Sequence, residues 1–253
     1  MDKKLTKFIL GVNPEIIHKK VVIAPCWLPA SVGVTDAEIV SDGPCKIWKC
    51  NMKEISFTYI VSGVGAANCL DIVMALGDTK CRDILFIGSA GALDRSVAIG
   101  DIAIPENIVC AEGASRFIGE NLSVDCYGNK FASCIDISKQ LIDFLINNDV
   151  LAESRLHIGD GISVESIAMQ YEHISEFISN GCKFIDMESS AFLAACKRTG
   201  INGTIAYCIS DNVSIGEPLY LVSDATTQYR KNVRKEIFPL IIECYLAGEK
   251  YGI

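Results

Sequence analysis

Apolar residues gather in short runs at 21–24, 57–61, 84–87, 102–104, 184–185 and 204–209, short enough for buried strands and too short for helices. Between several of these runs, apolar positions recur at helical spacing, over 66–76, 137–146, 174–178 and 187–197. Strands alternating with helices predict an α/β fold, a central mixed β-sheet flanked by helices. Near the C-terminus Val233, Ile237, Leu240, Ile241 and Tyr245 form one stripe, interrupted by Pro239. That pattern predicts a terminal helix over 225–246, packed back on the sheet and kinked or restarted at the proline. The stretch 112–127 lacks such a period and reads as an inserted loop or hairpin. No repeat or Pro/Ser-rich linker divides the chain, so a single domain over 1–253 is expected.

Half of the 253 residues are apolar, enough for a sizeable core, yet no run approaches the ~18–20 apolar residues that a membrane span needs. After the basic N-terminus only Phe8-Ile9-Leu10 is continuously apolar, too little for a signal-peptide core, and a cytoplasmic location without membrane contact is expected. A net charge of -8 argues against nucleic-acid binding. The twelve cysteines are scattered singly, as at Cys69, Cys110, Cys196 and Cys208, where a reduced thiol serves as a small hydrophobe. No Cys-x-x-Cys occurs, and Cys45 and Cys50 have no nearby His or Cys, so neither a metal site nor any other cofactor is expected.

Two acids stand where core residues would otherwise continue. Glu188, in Asp186-Met187-Glu188-Ser189, lies between a short strand and a helix, and Asp211, in Ser210-Asp211-Asn212, ends another apolar strand. Acids at such junctions cap helices. A pair of them at strand C-termini also makes a site, since ligands of α/β sheets bind at that edge. Two glycine-rich segments support the second reading. Ser62-Gly63-Val64-Gly65-Ala66-Ala67-Asn68 follows one strand and opens a helix; Asn68 replaces the third glycine of a dinucleotide fingerprint and no acid follows at the ribose position. Gly88-Ser89-Ala90-Gly91-Ala92 follows the strongest strand and reads as a second turn, able to aim amides and the Ser89 hydroxyl at one polar group. Gly100-Asp101 reads as a turn, with no catalytic role for Asp101. His18, His157 and His173 stand near no matching motif, which disfavours a Ser-His-Asp triad.

Gly63-Val64-Gly65, Gly88-Ser89-Ala90-Gly91-Ala92, Gly100-Asp101-Ile102-Ala103-Ile104-Pro105, Asp186-Met187-Glu188-Ser189 and Ser210-Asp211-Asn212 occur in that order. The ordered set, over roughly residues 20 to 245, resembles the nucleoside phosphorylase and nucleosidase superfamily, of the hexameric purine nucleoside phosphorylase, uridine phosphorylase and methylthioadenosine nucleosidase type. The resemblance implies cleavage of an N-glycosidic bond in a purine nucleoside or analogue by a homo-oligomer. It implies that Glu188 accepts both ribose hydroxyls, that Met187 packs on the sugar, and that Asp211 protonates or hydrogen-bonds N7 of the leaving purine. Gly88 and Ser89 fall at the acceptor site, for phosphate or water. Arg116 and Phe117 fall in a loop that touches base or acceptor, and Ile167 and Tyr171 in a base-lining stretch.

The chain also departs from that pattern. Arginines that hold phosphate in the phosphorylases are replaced by Pro25-Cys26-Trp27-Leu28-Pro29 after the first strand and by Phe86-Ile87 before Gly88; a third region offers only Lys46 and Lys49. A dianion without a bidentate Arg binds weakly, which tilts the expectation toward hydrolysis. The nucleosidases in turn have a glutamate where Cys26 and Trp27 stand. Phosphorolysis, and a catalytically weak nucleoside-binding protein, remain the alternatives.

Overall fold

The apolar runs at 21–24, 84–87 and 204–209 become adjacent parallel strands at the centre of one ten-stranded mixed sheet. The computed structural model describes residues 2–119, 121 and 123–248. Its strands are β1 (Lys20–Ala24), β2 (Asp36–Asp42), β3 (Lys46–Met52), β4 (Ile55–Val61), β5 (Asp83–Ala92), β6 (Ile102–Ala111), β7 (Lys130–Ala132), β8 (Leu156–Val164), β9 (Cys182–Asp186) and β10 (Asn202–Asn212). The helices are α1 (Lys3–Leu10), α2 (Ala66–Leu76), α3 (Ile135–Asn147), α4 (Ile167–Gln170), α5 (Ile174–Ser179), α6 (Ser189–Thr199) and α7 (Asp224–Ala247). None of them, among the described residues, is long and apolar enough to cross a membrane.

Alternate residues of the central strands serve two cores. Val21, Ile23, Phe86 and Tyr207 pack with apolar residues of α2 and α6, whereas Val22, Leu85, Ala206 and Cys208 pack with those of α3 and α7. Strands buried on both faces read as continuous apolar runs, which is why these were legible. The alternating edge hairpin of β2 and β3 was not, because Asp36, Glu38, Lys46 and Lys49 break up its apolar positions. In β8, Gly159-Asp160-Gly161 does the same.

The topology makes a ring. β5 pairs along its length with β10, and the order β10-β6-β8-β9 returns to β5. On its other side β5 pairs with β1 up to Phe86 and with β9 only from Gly91. Residues 87–90 therefore have no strand partner on that side, and the gap opens at the carboxyl end of β1. The segment from Gly88 to Ala92 is thus strand rather than the expected turn: pairing with β10 carries the ladder past the glycines. The terminal helix α7 runs through Pro239 without restarting. Gly33 packs on that proline ring so closely that a Cβ there would lie 2.4 Å from Pro239 Cγ.

Candidate active site

The junction of β9 and α6 carries two acids with different tasks. Asp186 Oδ2 accepts from the amides of Glu188 (3.3 Å) and Ser189 (2.9 Å), and so caps α6. Glu188, although at the N-cap position, makes no side-chain cap bond. Its Oε1 accepts instead from the amide of Gly65 at 2.7 Å. Gly65 stands at φ 111°, a conformation that glycine adopts without strain, and this brings the turn after β4 against the carboxylate. Burial, reinforced by the charge of Asp186, pushes the Glu188 pKa up to about 7; burial also raises that of Asp186.

A buried polar network fixes this junction from behind. The Ser163 hydroxyl donates to Asp186 Oδ1 and accepts from the Ser190 amide at 2.8 Å. The Ser190 hydroxyl donates to Glu112 Oε1 at 2.8 Å, while Glu112 Oε2 accepts from the amides of Ala114 (2.6 Å) and Ser115 (3.1 Å). Each member has partners, so the network rigidifies the junction at little cost in unpaired groups. Glu112, in the irregular loop after β6, was not legible as part of the site.

Asp211 ends β10 in the same manner. Capping of the next turn falls to its neighbour, Asn212, whose Oδ1 accepts from the Ser214 amide at 2.9 Å. Asp211 Oδ1 accepts from the Ser210 hydroxyl at 2.5 Å. Burial raises its pKa, against that hydrogen bond and the charge of Arg230. Glu188 and Asp211 are both buried and line one cavity of about 200 Å³. Gly88, Ser89, Met187 and Ile167 share its wall, with Pro25 and Cys26 where β1 ends. Two buried carboxyl groups, both with pKa raised by burial and one of them accepting from a backbone amide, can hold a diol at one end of a ligand and protonate a leaving group at the other.

Residues 36–239 match the family model described as the phosphorylase superfamily. The chain belongs to that superfamily. With this the resemblance read from the ordered motifs is borne out, and so is the expectation of an enzyme of the class that cleaves N-glycosidic bonds. Solved structures of the same fold include uridine phosphorylase from Vibrio fischeri ES114, at 17% identity and a TM-score of 0.76, covering 92% of this chain and 93% of that one. Purine nucleoside phosphorylase from Toxoplasma gondii in complex with immucillin-H matches at 15% identity and a TM-score of 0.75, covering 93% of each chain. No curated protein sequence gives a significant match.

Within this phosphorylase-superfamily site, the residues expected from sequence divide into two groups. Glu188, Asp211, Met187, Gly88, Ser89 and Ile167 come together. Tyr171, just past α4, stands edge-on to Tyr220 at 5.8 Å rather than in the cavity wall. Arg116 and Phe117 stand apart from that wall: the Arg116 guanidinium pairs with Asp125 and lies over the rings of Phe117 and Tyr127. Phe86, at a position where an arginine was sought, is buried against Phe192 with ring centres 5.3 Å apart.

The cations come from elsewhere. A second cavity of about 180 Å³, which Ser89 also lines, is walled by Trp27, Cys208 and Thr227 and by Arg230, Lys231 and Arg234 of α7. Arg230 and Arg234 are four residues apart and so share a helix face. That spacing is the signal from which they could have been found.

Proposed function

We propose that the protein cleaves the N-glycosidic bond of a purine nucleoside or close analogue. The observation that supports this reading is the pair Glu188 and Asp211, two buried carboxylates relieved of capping by their neighbours and lining one cavity with Ser89. Glu188 accepts hydrogen bonds from the ribose diol, which orients the sugar and favours the positive charge that develops on it as the bond breaks. Asp211 neutralises the leaving base at N7, an atom that pyrimidines lack. Met187 packs on the sugar, and Ile167 on the base.

Water as the acceptor was favoured by the loss of loop arginines. Three cations of α7 beside Ser89 remove that ground and favour phosphorolysis. Met169, Tyr220 and Leu221, exposed by 52%, 72% and 65%, leave apolar surface beside Ile167 and Leu219 of the cavity wall, which supports a homo-oligomer.

The test is release of free base from a panel of nucleosides. Cleavage of inosine or adenosine ahead of uridine is expected, with loss of activity in folded Glu188→Ala. Nucleoside binding without base release from any member of the panel would replace this reading by that of a binding protein.

A further inference from the structure

The far end of α2 borders a cavity that the N-glycosidic reading does not use. Helix α2 begins after Gly65, whose amide is on Glu188, and its 11 residues carry the chain about 16 Å to the turn Asp78-Thr79-Lys80. Thr6 of α1 is buried and donates from Oγ1 to Asp78 Oδ2 at 2.8 Å, which ties α1 to that turn. Thr79 fixes the turn itself, donating to the Leu76 carbonyl at 2.7 Å and accepting from the Cys81 amide at 3.0 Å. Between the turn, α1 and the segment Asn13-Pro14-Glu15 lies a cavity of about 520 Å³, more than twice the volume of the one that Glu188 and Asp211 line. A space of this size suits a whole small molecule.

Its wall is cationic in a protein of net charge -8. Lys3, Lys4, Lys7 and Lys80 line it, and among the described residues none of the four is paired with a carboxylate. Lys3 and Lys7 are four apart on α1 and share a face. The acids of the wall are Asp78, which accepts from Thr6, and Glu15, fewer than its lysines. Burial, then the charges of Lys80 and Lys49, lower the pKa of His18, so the positive field reaches that side chain as well. Like charges gathered in this way repel one another and are relieved by an anion that several of them reach at once. Ammonium groups on flexible stems act as point charges, suited to the spread charge of a phosphate chain rather than to bidentate capture of one planar group. A single phosphate would leave most of the volume empty.

We propose that the cavity between α1 and the turn after α2 binds a cluster of phosphates on one ligand, held by Lys3, Lys4, Lys7 and Lys80. Two sources carry that chemistry: a soluble polyphosphate, such as the chain of a nucleoside triphosphate, and the headgroup of a polyphosphorylated lipid. Leu5 and Phe8, exposed by 47% and 73% on the same helix, are the apolar groups that a lipid surface would cover. The site is distinct from the cavity of Glu188 and Asp211, and nothing in its assignment depends on the reading of that cavity.

Two binding measurements on the full chain test the site and separate the sources. Calorimetry with tripolyphosphate, which has no base or sugar to enter the other cavity, tests the soluble source. Sedimentation with phosphatidylcholine vesicles that contain phosphatidylinositol bisphosphate tests the lipid source. Saturable binding is expected in at least one arm, with one tripolyphosphate per chain in the first, and the positive arm identifies the source. Affinity should fall about tenfold or more in the double variant Lys4→Gln/Lys7→Gln and about threefold or more in Lys80→Gln. These side chains are exposed, so the variants should fold, which circular dichroism checks. Arg230→Gln, in the wall of the cationic cavity beside Ser89, is the control and should bind as wild type does. Binding lost in Arg230→Gln and kept in the lysine variants would overturn the proposal by moving the anion to that cavity. Inorganic phosphate that binds as tightly as tripolyphosphate at equal ionic strength would overturn it too, since no cluster of phosphates would then be read. So would the absence of saturable binding in both arms.

Discussion

The Gly65 amide donates to Glu188 Oε1 at 2.7 Å across 123 residues of sequence, so the turn after β4 and the start of α6 form one wall. A Cβ at Gly65 would meet nothing within 4 Å, but its φ of 111° is one that other residues reach only with strain of about 1–3 kcal/mol. Gly65→Ala should therefore re-aim the amide rather than create a clash. About a tenfold loss in kcat/KM is expected for ribonucleosides, with a smaller preference for them over 2′-deoxyribonucleosides. Retention of that preference in a folded variant would separate Gly65 from the function of Glu188.

Glu188 should set the rising limb of the pH profile. Its carboxylate accepts the diol only when ionised, so kcat/KM of the free enzyme should climb through pH about 7 and level off above it. Glu188→Gln should remove that limb and lower kcat/KM by about a hundredfold or more. Stability has the opposite sign. A raised acid pKa means that the folded state holds the proton longer, so Glu188 costs stability progressively as pH rises from 4.5 to about 7. Above pH 7 the unliganded Glu188→Gln variant should melt higher than wild type, by an equivalent of ~1–3 kcal/mol. Equal melting points at pH 8 would count against the raised pKa.

In the proposed reaction Asp211 acts in its protonated form, which burial favours. Asp211→Asn keeps the shape but has no proton to give, and kcat should fall about 10²–10⁴-fold with little change in nucleoside KM. A variant that turns over inosine at the wild-type rate would assign the leaving-group proton elsewhere.

Gly91 gives Asp211 its room. A Cβ at position 91 would lie 3.2 Å from Asp211 Oδ2 and 3.0 Å from Ile185 Cγ2. Gly91→Ala should push the carboxyl group by a few tenths of an ångström and reduce kcat about tenfold. Base-release kinetics of the folded variant check this, and an unchanged kcat would separate Gly91 from the placing of Asp211.

The parts of the site that were legible in sequence are those where local pattern and function coincide. Helix α2 has the bounds that its apolar period predicts, and Glu188 and Asp211 interrupt runs that are otherwise apolar. What the pattern hid depended on contacts distant in sequence. Gly88 to Ala92 looked like a turn because glycines weaken a strand locally, yet β10 pairs along them. Glu112 and Ser163 bear on the site only through Ser190 and Asp186. Arg230 and Arg234 lie about 140 residues beyond Ser89, on a helix for which only the apolar stripe was read.

Glu188 and Asp211, the groups proposed to handle sugar and base, stand just past or near the ends of strands in the closed ring, whereas the cations of the second cavity ride on the last helix. The two can therefore change separately in evolution. Substitutions along one face of α7 alter the charge beside Ser89 without disturbing any ladder pairing, so the second cavity can vary while the wall that holds Glu188 and Asp211 is inherited whole. The same separation makes the helix a natural unit to graft between relatives.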